Sequence, residues 1–450
     1  MKKIQFLFIA TFGAFFACTS GQHTGTAPAL VQVSAFDTVL DGSDVSLYTL
    51  RNDSGMVVQV TNYGARVVSL WVPDAKGDFQ DVVWGYESIH DYLDSPDRFC
   101  GPVVGRYGNR IGKGRFTLDG KSYQLTLNDG ENHLHGGADG FWNKVWIARP
   151  FENEQGEQAV EMSYRSPDGE EGYPGNLSIA VTYTLQKNNA LKIEYQAMTD
   201  APTILNPTSH NYFNLHGNTA SSTDSHVLTI HADRFTPTDA GLIPTGALDS
   251  VAGTPLDFRV AQPIGSRIDA DFEPMKLARG YDHNWVLNKQ GNEMSVAAEV
   301  YEPATGIVMK VETDQPGLQF YSGNFMDGTE IGKRGDRHNV RTGIALETQN
   351  FPDAPNHENC PSAVLRPGET YTQTCVYAFS VKKEIRRRIT MSFRNRPERL
   401  FCSSGARNFG NANRAKRKRA LRKVPVSVVE IKAPAICWRL FYRNVFDSGS

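Results

Sequence analysis

Leu191-Lys192-Ile193-Glu194-Tyr195-Gln196 puts Leu, Ile and Tyr on one side of an extended chain and Lys, Glu and Gln on the other. Successive side chains of a strand point to opposite faces, so this segment reads as a half-buried β-strand. The same alternation recurs outward from it. Ile179 to Leu185 precedes it across Lys187-Asn188-Asn189, Val160-Glu161-Met162-Ser163-Tyr164 comes before that, and Val308 to Glu312 follows later. Arg115 to Leu118 and Lys121 to Leu127 flank Asp119-Gly120, a pair suited to the type I′ turn of a β-hairpin. Helical periodicity is sparse; Glu87 to Leu93 is long enough for one short turn. Many strands joined by Gly- and Pro-containing connections predict an all-β fold, a large antiparallel sandwich with few short helices. There is no internal repeat and no sign of a second catalytic domain.

Composition sets the limits of that body. Of 450 residues 40% are hydrophobic, with 24 Phe and 17 Tyr, ample for a large core. The formal charge of −2 hides an asymmetry. Residues 384–450 hold 17 Lys/Arg against 4 Asp/Glu, whereas the preceding 383 residues hold 30 basic and 45 acidic groups. Two pieces so unlike rarely form one folded unit. The expected body is therefore residues 36–383, with 384–450 a basic, disordered extension. The clusters Arg386-Arg387-Arg388 and Lys416-Arg417-Lys418-Arg419 repel themselves and cannot be buried unpaired. An anionic surface, lipid or nucleic acid, is the functional alternative for that tail.

At the other end, Lys2 and Lys3 precede the apolar run Ile4 to Ala17, which has signal-peptide length and is too short to span a bilayer. It stops at Cys18, and a small residue followed by Cys is similar to a bacterial lipoprotein processing site. Residues 1–18 are thus expected to be an export signal with lipidation at Cys18, and 19–35 a flexible tether. That implies a periplasmic or membrane-anchored protein. Cys100, Cys360 and Cys375 have no C-x-x-C spacing. An exported compartment permits a Cys360–Cys375 bridge, isolated thiols are the other reading, and nothing resembles a zinc site.

Several residues have chemistry to offer. Glu347 ends the apolar run Ala345-Leu346 and leads into a loop whose backbone Pro352 and Pro355 restrict. Taken alone it is a solvated strand end. His133 and His135 form an H-x-H pair; on a strand both rings would share a face and suit a metal, but no third ligand is evident and Gly136-Gly137 suggests a loop. Arg110 and Asp282 sit beside glycine and aromatic neighbours, where planar donors and acceptors could meet hydroxyl groups or simply form salt bridges. His210, Tyr212 and Gln319 read by themselves as packing residues. Glycines 101, 105, 108, 112 and 114 lack the G-x-x-x-x-G-K-[ST] of a phosphate loop.

The run Ala345-Leu346-Glu347-Thr348-Gln349-Asn350-Phe351-Pro352-Asp353-Ala354-Pro355-Asn356-His357 closely resembles the segment around the general base of the aldose 1-epimerase family. Other segments resemble that family in the same order along residues 33–382. They are Gly105 to Ile111 with the pair Asn109-Arg110, Asn132 to Gly137 with His135, Thr208 to Leu215 with His210, Gly280 to Trp285 with Asp282, and Gly317 to Asn324.

The resemblance implies a single super-sandwich domain with a sugar cleft on one face. It implies that Glu347 is the base and His210 the acid in opening and reclosing an aldose ring. Asn109, Arg110, His135, Tyr212, Asp282 and Gln319 would bind the sugar. No cofactor or metal is implied, since the reaction involves neither redox nor group transfer. The partner would be a monosaccharide such as galactose or glucose, with no nucleic acid, and a membrane only through Cys18. Glycoside hydrolysis by Glu347 and Asp282, or carbohydrate binding without catalysis, are the competing readings. A phosphorylated hexose is disfavoured by the acidic body.

Overall fold

The computed structural model describes residues 26–217 and 221–382. The expected signal segment with Cys18, residues 19–25 of the tether and the basic extension lie outside these residues. The architecture is antiparallel throughout its named sheets. Nine strands form the largest, in the order Ile147–Glu152, Gln158–Ser166, Leu177–Leu185, Ala190–Thr199, Tyr371–Val381, Ile307–Thr313, Ser295–Tyr301, Val227–Ile230 and Gln262–Pro263. The opening hexapeptide lies in Ala190–Thr199, where Leu191, Ile193 and Tyr195 are buried in the core, as the period of two requires.

A second sheet positions the cleft. Its order is Tyr212–Phe213, Ile344–Gln349, Gly317–Tyr321, Asp282–Leu287, Ala232–Thr236 and Asp249–Ser250. Leu346, Leu318, Phe320 and Trp285 point back into the common core. Hydrogen bonds stitch the two layers together there: the Tyr377 hydroxyl donates to the Leu346 carbonyl (2.9 Å) and Gln373 Nε2 to that of Thr348 (3.0 Å). Glu347 lies between these two residues and therefore faces the other way. A four-stranded sheet, from Leu47–Arg51 to Phe79–Asp81, packs its apolar residues into the same core.

The hairpin turns at Asp119 (φ +49°) and Gly120 (φ +76°), the two left-handed residues a type I′ turn needs, but its return strand ends at Gln124 rather than Leu127. The short helix is Ile89–Asp94, started by Ser88, whose hydroxyl accepts from the Asp91 backbone N–H.

The last part of the expected tether is docked instead of free. Val31 exchanges two backbone hydrogen bonds with the Gln59 carboxamide (2.9 Å each). Phe36, the first residue of the expected body, is fully buried against Tyr92. A β-branched residue and an aromatic so close to the body gain more by burial than the chain loses by ordering. Cys100, Cys360 and Cys375 are free thiols, Cys360 half-buried and the others buried, so the permitted bridge is not formed. Among the described residues, no helix is long and apolar enough to cross a membrane.

Candidate active site

The Ile344–Gln349 strand is buried along its whole length, so Glu347 is not the solvated strand end its sequence position suggests. Loops cover the face opposite the core and leave a cleft of about 200 Å³ over Glu347. Drug-sized ligand clefts are roughly 300–1,000 Å³, so this one suits a single small ring. Its lining includes Asn109, Arg110, His135, His210, Tyr212, Asp282 and Glu347, which are residues of five distant stretches of chain. Gln319 pairs with Glu347 on the neighbouring strand and reaches the cleft through Asp282, donating from Nε2 to Oδ1 (2.6 Å).

Glu347 and His210 face each other, with His210 Nε2 3.7 Å from Glu347 Oε1. His210 follows the short strand Thr208–Ser209 and is fixed through its backbone, N–H to the Pro102 carbonyl and carbonyl to the Gly101 N–H. Both side chains are nearly inaccessible, at 5% and 2% exposure. Burial disfavours either charge. It lowers the His210 pKa to about 4, with the nearby carbonyls of His210 and Phe99 acting the other way. Burial, reinforced by the Asp282 carboxylate, holds Glu347 well above the usual carboxylate range, and Arg110 opposes this. Neither His210 Nδ1 nor Glu347 Oε2 has a hydrogen-bond partner among the described residues.

His135 completes this corner. Its backbone has φ +51°, so it has left the strand His133–Leu134 and turned away from its H-x-H neighbour. His133 instead sits between the Tyr173 hydroxyl (2.6 Å) and the Thr126 carbonyl (2.7 Å), a structural role that removes it as a metal candidate. His135, His210 and Glu347 do bring ligand-capable atoms within 4.8 Å of one another. The hydrogen-bond pattern argues for another use of His135. Its Nδ1 accepts the Asn109 N–H (3.1 Å), which places the proton of the neutral ring on Nε2. Burial keeps the ring neutral. Nε2 therefore offers the cleft a donor and not the lone pair a cation needs.

Beside this corner lies a charged array. Arg110 donates from Nε to Asp129 Oδ2 (2.8 Å) and brings a terminal nitrogen 3.8 Å from Asp282 Oδ2. Asn109 Oδ1 accepts the Arg110 N–H (2.9 Å), leaving its amide end for the cleft. Burial raises the Asp282 pKa, whereas Arg110 and the Gln319 hydrogen bond pull it down. Asp282 is engaged by Gln319 and Arg110, whereas Glu347 Oε2 has no hydrogen-bond partner among the described residues.

Aromatic rings make up the rest. Tyr212 stacks on Trp84 (4.7 Å) and meets the His210 ring edge-on (5.0 Å). Phe99 packs on His135 (4.7 Å) and His210 (6.1 Å). Phe99, Leu134, Tyr321, Phe325 and Met326 line the cleft but are not singled out by the sequence, and neither is Asp129 behind Arg110. Leu134 and Tyr321 lie within family-like segments; the other residues leave no motif or period to find them by.

A family model described as aldose 1-epimerase matches residues 46–378. A galactose mutarotase from Bos taurus is 42% identical over 345 residues, which cover 77% of this chain and 97% of that protein. An aldose 1-epimerase from Escherichia coli is 41% identical over 342 residues, covering 75% and 96% respectively. Among solved structures, an aldose epimerase homologue from C. elegans has a TM-score of 0.68 at 32% identity, covering 75% of this chain and 99% of that one. A galactose 1-epimerase from Lactobacillus acidophilus gives the same TM-score, 0.68, and the same identity, 32%, over 76% of this chain and 97% of its own. Matches of this length leave no part of the cleft outside the shared region, and the chain belongs to the aldose 1-epimerase family of isomerases.

Proposed function

We propose that the cleft interconverts the α and β anomers of a free aldose, with galactose and glucose as the first substrates to test. Ring opening requires one proton to leave the C1 hydroxyl and one to reach the ring oxygen. Glu347 takes the first and His210 gives the second. The C1–O5 bond breaks, the C1–C2 bond rotates, and the reverse transfers close the ring on the other face. Protons and charge balance over the cycle, so no cofactor enters. The observation behind this reading is the buried Glu347–His210 pair, 3.7 Å apart and open to the cleft. Burial favours the neutral form of each group, and moving one proton from Glu347 to His210 creates the base and the acid together without changing net charge. Arg110, Asp282, Gln319, Asn109 and the Nε2–H of His135 would hold the hydroxyls, and Tyr212 would bound the ring. Polarimetry of freshly dissolved α-galactose and α-glucose tests this reading. The protein should hasten the approach to the equilibrium rotation, and an unchanged rate for every aldose tried would defeat it.

Export is a separate proposal, supported by Lys2, Lys3, the run Ile4 to Ala17 and Cys18. A palmitate analogue fed to the native bacterium should label the protein, and Cys18→Ser should abolish the label. A mature protein with no label and a different first residue would remove the anchor.

A further inference from the structure

Arg110 is held from behind as well as facing the cleft. Its Nε donates to Asp129 Oδ2 at 2.8 Å, much closer than the 3.8 Å that separates its terminal nitrogen from Asp282 Oδ2. Asp129 is itself well anchored. It exchanges backbone hydrogen bonds with Asn132 (3.0 and 3.1 Å) across a tight turn in which Gly130 takes φ +61°. The Asn128 side chain then ties this turn to Leu134, donating to its carbonyl and accepting its N–H. Leu134 pairs directly with Arg110 between the short strands His133–Leu134 and Arg110–Ile111. One small hairpin therefore carries the carboxylate behind Arg110 and leads straight into His135.

A flexible guanidinium has several rotamers, and a carboxylate on Nε fixes its plane, leaving the terminal nitrogen of the far edge turned away from that carboxylate. Here Nη1 is that nitrogen, 3.8 Å from Asp282 Oδ2, and Arg110 lines the cleft. We infer that Asp129 is a positioning residue for sugar binding, which aims the Arg110 guanidinium at a substrate hydroxyl and keeps it from collapsing onto Asp282. The inference rests on the proposed sugar reading of the cleft. Asp129 itself does not line the cleft, so its effect must pass through Arg110.

The test is steady-state mutarotation of galactose by polarimetry for the wild type, Asp129→Ala, Asp129→Asn, Arg110→Ala and the Asp129→Ala/Arg110→Ala double variant. Asp129 is 36% exposed, so the pair is partly screened and the expected effect is modest, a rise of about fivefold in KM for Asp129→Ala. The kcat should stay within about twofold, because a hydroxyl held equally in ground and transition states affects binding alone. Asp129→Asn keeps an acceptor for Nε and should recover part of the loss. In the Arg110→Ala background, Asp129→Ala should change nothing further. An unchanged KM in Asp129→Ala and Asp129→Asn, or the same rise with and without Arg110, would overturn the inference. A wild type that fails to hasten mutarotation defeats the proposed function, which is a different result from an active enzyme indifferent to Asp129.

Discussion

The two walls of the cleft solve opposite problems. On one side, Glu347 and His210 are buried with hydrogen-bonding atoms that have no partner among the described residues. On the other, Arg110 is hydrogen-bonded to Asp129 and Gln319 to Asp282, and a 3.8 Å ion pair links Arg110 to Asp282. A group that must gain and lose a proton cannot be locked into one charge state by a fixed ionic partner, and burial here favours the neutral form of both residues. A group that only orients hydroxyls benefits from being fixed, since preorganised donors cost nothing to align when the substrate arrives. The same sheet supplies both environments because alternate residues of adjacent strands share a face, and Glu347 sits directly across from Gln319.

Substitutions should separate the walls. Glu347→Gln and His210→Asn are each expected to lower kcat by at least about 100-fold, because each removes one proton-transfer partner. Thermal denaturation should show both variants folded. A KM effect without a kcat effect in either would erase the distinction between the walls. Arg110→Ala and Asp282→Ala should act mainly on KM, by about tenfold, with a smaller fall in kcat, since they hold the ring as C1 moves. Asp282→Ala also strands Gln319 and Arg110, so it should lose some stability.

How far the sequence reaches depends on the same contrast. The nine-stranded sheet is legible because strands such as Ala190–Thr199 bury one face and wet the other. The Ile344–Gln349 strand is buried on both faces and has no such alternation; Glu347 is found there through the likeness of its segment to a family, not through periodicity. His133 and His135 show what spacing misses. H-x-H implies a shared face only while the chain stays extended, and the positive φ at His135 separates the two rings. Phe99, Phe325 and Met326 come from loops, where no period marks an inward-facing side chain, and only the closed fold brings them to the cleft. Asp129 is hidden for a related reason: an Asp beside Gly130 reads as a turn residue, and its partner is 19 residues away.

Acidity extends the comparison to the whole body. Burial lowers His133, His210, His283 and His338 to about 4 and His226 to about 3. A free histidine titrates near 6.5, so on acidification the unfolded chain takes up protons before the folded one. The stability from these neutral rings is complete above about pH 6.5 and is lost as pH falls toward about 4, on the order of 1–3 kcal/mol for each ring. Glu347 and Asp282, raised in the fold, act in the opposite sense: their contribution is lost as pH rises through their folded values. Urea midpoints between pH 7.5 and 4 should fall most steeply below 6.5, and His210→Asn should flatten the slope slightly. A midpoint independent of pH would contradict the neutral burial of these rings.

The smallest effect is expected from residues beyond the family match. The Tyr371–Val381 strand completes the nine-stranded sheet, and the family match ends at residue 378. We propose that residues 384–450 are dispensable, so that truncation after Lys383 leaves kcat, KM and the melting temperature nearly unchanged. Loss of folding on truncation would make the basic segment part of the body.

The central claim is that Glu347 and His210 work as one proton-handling unit, and a double-mutant cycle addresses it most directly. Mutarotation of saturating galactose is followed by polarimetry for the wild type, Glu347→Gln, His210→Asn and the double variant. Residues that act as a unit are strongly non-additive, so the double variant should be no more than about threefold slower than the slower single one. If the two losses multiplied, to about 10⁴-fold, the groups would be acting independently and the account of a shared proton would be wrong.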